Sequence, residues 1–149
     1  MASVPCRNAR LGLRLVSSLK ELRLQHIPLI AVVDDDAGMC DAIAELLEVL
    51  DFETARFSSG QEFLSKLAQR RFDCLVSDIR MPGMDGYELG RRVAAIAPGL
   101  PVIFVSSSED ELDRVRASRS GASAFLRKPL DADEFKCQID LALQRAAED

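Results

Sequence analysis

At 149 residues the chain has room for one domain with a real core and a short appendage, which argues against a second folded domain. A net charge of −5 and a pI near 5.0 argue against general nucleic-acid affinity, because that affinity rests on Lys and Arg neutralising phosphates. Four widely spaced cysteines, one histidine and no apolar run near the ~18 residues of a membrane span argue against a zinc site, a disulfide framework or a transmembrane segment, and fit a reducing cytoplasm.

Residues 1–27 carry Arg7, Arg10, Arg14, Lys20 and Arg23 against one acid, Glu21, whereas the rest of the chain holds 14 basic and 23 acidic residues. This basic extension lacks the continuous apolar core and cleavage site of a secretory signal. Leu15, Leu19 and Leu22 form a narrow apolar stripe, which leaves three readings open: packing on the domain, binding a partner or an anionic membrane surface, or a disordered leader. His26 reads as linker, and the domain boundary is placed near residue 27.

From residue 29 strands and helices alternate, which predicts a parallel sheet covered on both faces. The first strand is Leu29 to Val33, and Met39, Ile43, Leu46, Leu47 and Leu50 give the first helix its apolar spacing. A short, less apolar second strand, Phe52 to Phe57, has the character of an edge strand. Ser59 with Glu62 is a capping-box signal that opens the second helix, expected to run to about Arg70. The third strand is Phe72 to Ser77. Asp85 and Glu88 open the third helix, which Pro98-Gly99 stop. The fourth strand is Val102 to Ser106, and Ser108 with Glu111 repeats the capping spacing for a fourth helix ended by Gly121. The fifth strand is about Ser123 to Arg127. Asp131 with Glu134 starts the last helix, with Phe135, Ile139, Leu141 and Leu143 as its apolar face. Cys40, Cys74 and Cys137 fall within these apolar patterns and read as buried thiols.

The strand ends carry the chemistry. The first runs into Asp34-Asp35-Asp36, the third into Asp78, the fourth into Ser106, and the fifth into Lys128. In an open parallel sheet these ends line one crevice. Two carboxylates 4 Å apart repel by about 4 kcal/mol at an effective dielectric of 20, so a clustered set needs a counter-charge. Oxygen ligands without His or Cys favour a hard divalent ion such as Mg²⁺. A carboxylate can also accept a phosphoryl group, a transfer that needs mostly positioning and charge neutralisation.

Val32 to Asp36, Ser77 to Gly86, Val105-Ser106 and Phe125 to Pro129 together resemble, in order and spacing, the receiver domain of two-component response regulators. The resemblance covers about residues 28 to 147. It implies an α/β fold: a doubly wound, five-stranded parallel sheet with five helices, flavodoxin-like. It implies Asp78 as phosphoacceptor, with Asp34, Asp35, Asp78 and the Arg80 backbone carbonyl as Mg²⁺ ligands. Ser106 matches the switch hydroxyl, Lys128 the phosphate-pairing lysine, and Phe125 the switch aromatic, although Phe125 reads equally well as core. Arg80 and Ser108 stand at the two variable positions that tune phosphate lifetime in the family. Ser106 replaces the more frequent Thr and Phe125 the more frequent Tyr. Lys128-Pro129 is where the family often has a cis bond. The implied partners are a sensor histidine kinase or phosphotransfer protein and a downstream protein meeting the fourth helix, fifth strand and fifth helix. Arg114, Arg116, Arg119 and Arg127 make that face basic, which suits an acidic partner. Few residues follow the last helix, so no DNA-binding output is expected in this chain.

Each assignment has a rival. Asp36 reads as a helix cap. Asp34-x-Asp36 after a strand also suits a haloacid-dehalogenase-like phosphatase, an enzyme reading that leaves Asp78 to Gly86 unexplained. That reading makes Asp34 the phosphorylated residue in place of Asp78. A pseudo-receiver that binds without phosphorylation would lack a pocket residue, and none is missing.

Overall fold

The computed structural model describes residues 26–148; the basic extension with its Leu15, Leu19, Leu22 stripe, and Cys6, lie outside the described residues. In chain order the elements are β1 (Leu29–Val33), α1 (Ala37–Val49), β2 (Glu53–Phe57), α2 (Gly60–Leu67), β3 (Cys74–Asp78), α3 (Gly86–Ile96), β4 (Val102–Ser106), α4 (Glu111–Arg119), β5 (Ala124–Arg127) and α5 (Ala132–Glu148). The strands form one parallel sheet in the order β2-β1-β3-β4-β5. β1 and β4 are buried along their whole length, as strands covered on both faces must be, while β2 is an edge strand with exposed positions.

Alternation along β1 divides the core. Ala31 and Val33 face a cluster with Phe63 of α2, Leu89 and Val93 of α3, and Ala117 of α4. Ile30 and Val32 face the other cluster, with Ile43 and Leu47 of α1 and Phe135 and Ile139 of α5. Phe57, Phe63 and Phe72 meet edge to face with centroids 5.2 to 5.9 Å apart. Burying such a ring or a leucine is worth about 1.5–3 kcal/mol relative to exposure, so these layers fix how the strand ends come together.

Local hydrogen bonding explains most boundaries. Ser59 Oγ accepts from Glu62 N at 3.1 Å as expected from sequence, while Glu62 Oε1 bonds back to Ser58 N at 3.2 Å, one residue before the cap. Asp36, Asp85 and Asp131 accept from Met39, Glu88 and Glu134 amides in the same way. α2 ends at Leu67 rather than Arg70, because the Ala68 and Gln69 amides close the last turn on the Leu64 and Lys66 carbonyls. α4 is capped by Asp110 and not by Ser108. The Ser108 hydroxyl instead accepts from Asp110 N at 3.1 Å, a tight turn that delays the helix. Gly121, with φ +85°, ends it as expected. On α5, Ala142 rather than Leu141 completes the buried face, lying three positions beyond Ile139.

Cys40 and Cys74 are buried free thiols. Cys137, on α5, is half-buried, where the sequence pattern reads a buried thiol. His26 is more than linker: its Nε2 lies 2.9 Å from Asp73 Oδ2, which also accepts from Leu29 N at 2.8 Å and so ties the entry of β1 to the loop before β3. No helix among the described residues is long and apolar enough to cross a membrane.

Candidate functional site

Parallel pairing puts the C-terminal ends of β1, β3, β4 and β5 on one edge of the sheet. Asp34, the residue after β1, is 1% exposed. Its Oδ1 accepts from Asp36 N at 3.0 Å and its Oδ2 from Lys128 Nζ at 3.1 Å. Lys128 follows β5, and its amide donates to Ser106 O at 2.9 Å, so the end of β4 holds the lysine loop in place. Lys128 Nζ also lies 3.6 Å from Asp78 Oδ1, with both side chains nearly buried. Carboxylate oxygens of Asp34, Asp35 and Asp78 lie within 4.8 Å of one another. Asp35 is exposed and points the cluster toward solvent.

Three acids face one ammonium, and the imbalance shows on Asp78. Burial pushes its carboxyl above the usual carboxylate range, Lys128 pulls it down, and Asp34 and Asp35 push it up again. An all-oxygen donor set with uncompensated negative charge and no His or Cys is the chemistry a hard divalent cation such as Mg²⁺ fits. Burial pushes the Cys74 thiol up to about 12 and raises Cys40 as well.

The other predicted residues divide. Ser106, buried at the end of β4, accepts from Ser108 N at 3.1 Å. Asp36 stays outside the cluster as the α1 cap. Phe125 is partly buried against the α2, α3 and α4 layer, with the Arg114 guanidinium 5.3 Å from its ring centroid. Lys128-Pro129 is cis, as expected. Arg80 turns its guanidinium to Asp113, Nη2 to Oδ2 at 2.9 Å. The basic face is partly neutralised within the fold: Arg127 pairs with Glu111, and Arg116 stacks 4.2 Å from the Tyr87 ring centroid.

Two residues with polar roles escaped sequence reasoning. Asp113 looks like one more surface acid on a highly charged helix, yet it is 3% exposed. The signal for it is its spacing of four from the buried Ala117, which puts both on the inner face. Tyr87, in the first turn of α3, donates its hydroxyl to Asp113 O at 2.8 Å.

The family model described as "Response regulator receiver domain" matches residues 30–140. The chain is 38% identical over 117 residues to the transcriptional regulatory protein FixJ of Bradyrhizobium diazoefficiens, covering 78% of this chain and 57% of that protein. It is 37% identical over 117 residues to the DNA-binding transcriptional regulator NtrC of Klebsiella pneumoniae, covering 78% of this chain and 25% of that one. It thus spans little more than half of the first relative and a quarter of the second. Among solved structures, a receiver domain protein from Clostridium thermocellum superposes with a TM-score of 0.77 at 28% identity, over 82% of this chain and 98% of that one. A CheY-like receiver from Methanospirillum hungatei gives 0.76 at 26%, over 83% and 98%.

Proposed function

The chain belongs to the response regulator receiver domain family, and on that premise we propose that it accepts a phosphoryl group on Asp78 from a sensor histidine kinase or phosphotransfer protein and thereby changes a partner-binding surface. The observation that carries this reading is the placement of Asp78. It ends β3, nearly buried, with Lys128 Nζ 3.6 Å from its Oδ1 and Asp34 and Asp35 beside it.

Asp78 attacks as the carboxylate: an Oδ–P bond forms to the phosphorus of a phosphohistidine, the P–N bond breaks, and the donor imidazole leaves with that electron pair. Burial works against the ionised form, and Lys128 works for it. Asp34, Asp35, Asp78 and the Arg80 carbonyl are the groups that would hold Mg²⁺, which neutralises charge on the transferring phosphoryl group when bound. Lys128, already positioned by Asp34, then pairs with a phosphoryl oxygen. The Ser106 hydroxyl accepts from Ser108 N and so keeps its own proton to donate to another. Hydrolysis by water returns Asp78 to the carboxylate.

The switched surface is α4, β5 and α5. Leu112 and Val115 are exposed there, at 68% and 43%, next to Phe125 and Arg114. This supports a downstream protein partner, with no direct nucleic-acid contact by the domain. The receiver spans residues 28–147 behind a separate basic extension and works in the cytoplasm, where such kinases deliver phosphoryl groups.

Intact-mass measurement with acetyl phosphate and Mg²⁺ tests the reading: one phosphoryl group adds to the chain, and Asp78→Ala abolishes it. Labelling that persists in Asp78→Ala and disappears in Asp34→Ala would favour the phosphatase-like alternative. Against that alternative, Asp34 is 1% exposed with both oxygens already accepting hydrogen bonds.

A further inference from the structure

The edge of the sheet opposite Asp78 holds a cavity of about 680 Å³ with mostly apolar walls. Leu67 at the end of α2, Ile96 and Ala97 at the end of α3, Leu100 and Pro101 before β4, and Leu143 of α5 line it. Ile96 is 56% exposed, one of the few large apolar side chains left open among the described residues. Asp73 and Pro101 stand just before β3 and β4, so the cavity lies about 16 Å from Asp78 along a five-residue strand. No residue of the acidic cluster lines it.

The basic extension joins the domain at this cavity. Asp73, on the rim, lies 2.9 Å through its Oδ2 from His26 Nε2, and the same oxygen accepts from Leu29 N at 2.8 Å. Leu22 stands four positions before His26, no more than about 14 Å of chain away. Leu19 and Leu15 precede it at the spacing of one helical face. We propose that the segment Arg14 to Leu24 folds back on the domain and seats Leu15, Leu19 and Leu22 in this cavity, so that the extension closes the apolar end of the receiver. Against the ~150 Å³ that takes up one benzene, 680 Å³ has room for three leucine side chains. Docking removes from water both the stripe and the exposed face of Ile96. The tether selects the occupant. A stripe joined to His26 through three residues acts at an effective concentration on the order of mM, which a second copy or a separate partner must match. Charge helps at close range. The last turns of α2, α3 and α5 converge here with their carbonyl ends, and α3 has no basic residue in its last turn, so Lys20 and Arg23 meet partial negative charge. Arg70 and Arg71 on the rim offset part of that attraction and leave the leucines as the main contribution.

The test uses the full chain. Amide hydrogen exchange is followed at Gln69 and Leu100, whose amides close turns on Lys66 O and Ala97 O beside the cavity. Exchange at both rises on the order of tenfold or more in the triple variant Leu15→Asp, Leu19→Asp, Leu22→Asp, the weight of one buried leucine. Ile96→Lys, at an exposed position that leaves the core alone, gives a similar rise, and combining it with the triple variant adds nothing. Val49→Lys, 77% exposed on α1, is the control and leaves exchange at the cavity unchanged. A benzophenone side chain placed at position 96 supplies the direct readout: under light it crosslinks to residues 14–24 at the mass of one chain. Unchanged exchange in the triple variant overturns the proposal. So does a crosslink at twice the chain mass, which makes a second copy the occupant, or protection that arises only with phosphatidylserine vesicles, which assigns the stripe to an anionic membrane. Should the triple variant fail to fold, the crosslink decides: its absence from residues 14–24 overturns the proposal.

Discussion

Replacing Gly86 with alanine probes how tightly the strand end that carries Asp78 is wedged. A Cβ built on Gly86 falls 2.5 Å from Asp78 O and 2.8 Å from Ile79 Cα. Both are backbone atoms, so no side chain can swing aside. The Gly86 amide also donates to Ile79 O at 2.8 Å, which pins α3 against the end of β3. Overpacking of this kind costs about 1–3 kcal/mol, and contact with backbone places Gly86→Ala toward the upper end. Reduced freedom of the unfolded chain returns about 0.4–1 kcal/mol. The net loss is about 2 kcal/mol, which for a chain of this size lowers Tm by roughly 4–8 °C. Gly99→Ala is the control, because nothing lies within 4 Å of its Cβ and its φ is ordinary. That variant gains the unfolded-state contribution alone and melts slightly higher than wild type. Thermal unfolding of both proteins, with Mg²⁺ titration alongside, is the assay. Gly86→Ala should lose Mg²⁺ affinity as well, because relief of the clash moves Asp78, while Gly99→Ala keeps it. A Gly86→Ala protein as stable as Gly99→Ala would refute the wedge.

Lys128→Ala leaves Asp34 buried without its ammonium and should cost about 3 kcal/mol in urea unfolding without metal, with Mg²⁺ restoring part of the loss; equal stability with and without Lys128 would contradict the pairing. Asp35 is exposed, so Asp35→Asn should leave unfolding unchanged and weaken Mg²⁺ binding by about tenfold in a calorimetric titration. Tyr87 is the sole tyrosine, so phenolate absorbance reads it alone: burial and then Asp113 push its phenol up to about 12. A phenol raised above its unfolded value near 10 favours the folded state at lower pH, and that stability is lost as pH climbs from about 10 toward 12. A phenolate midpoint near 10 in the folded protein would show that the Tyr87–Asp113 contact does not form.

Features that depend on neighbours within four residues were legible in the chain itself. The apolar runs Leu29 to Val33 and Val102 to Ser106, and the caps at Ser59, Asp85 and Asp131, follow from alternation and from side-chain-to-amide geometry across one helical turn. So was the set of strand-end residues, because parallel strands align their ends whatever their order. The tertiary structure decided what rests on distant partners. It placed β1 between β2 and β3, seated Lys128 on Asp34 across 94 positions, and turned Arg80 to Asp113 across 33. The Ser108 cap failed because Ser108 spends its hydroxyl on Asp110 in the turn leaving β4, which let a later residue open α4. Asp113 stayed hidden for the same physical reason: an acid among arginines looks solvated until the fold removes its water and supplies Arg80 and Tyr87 in exchange.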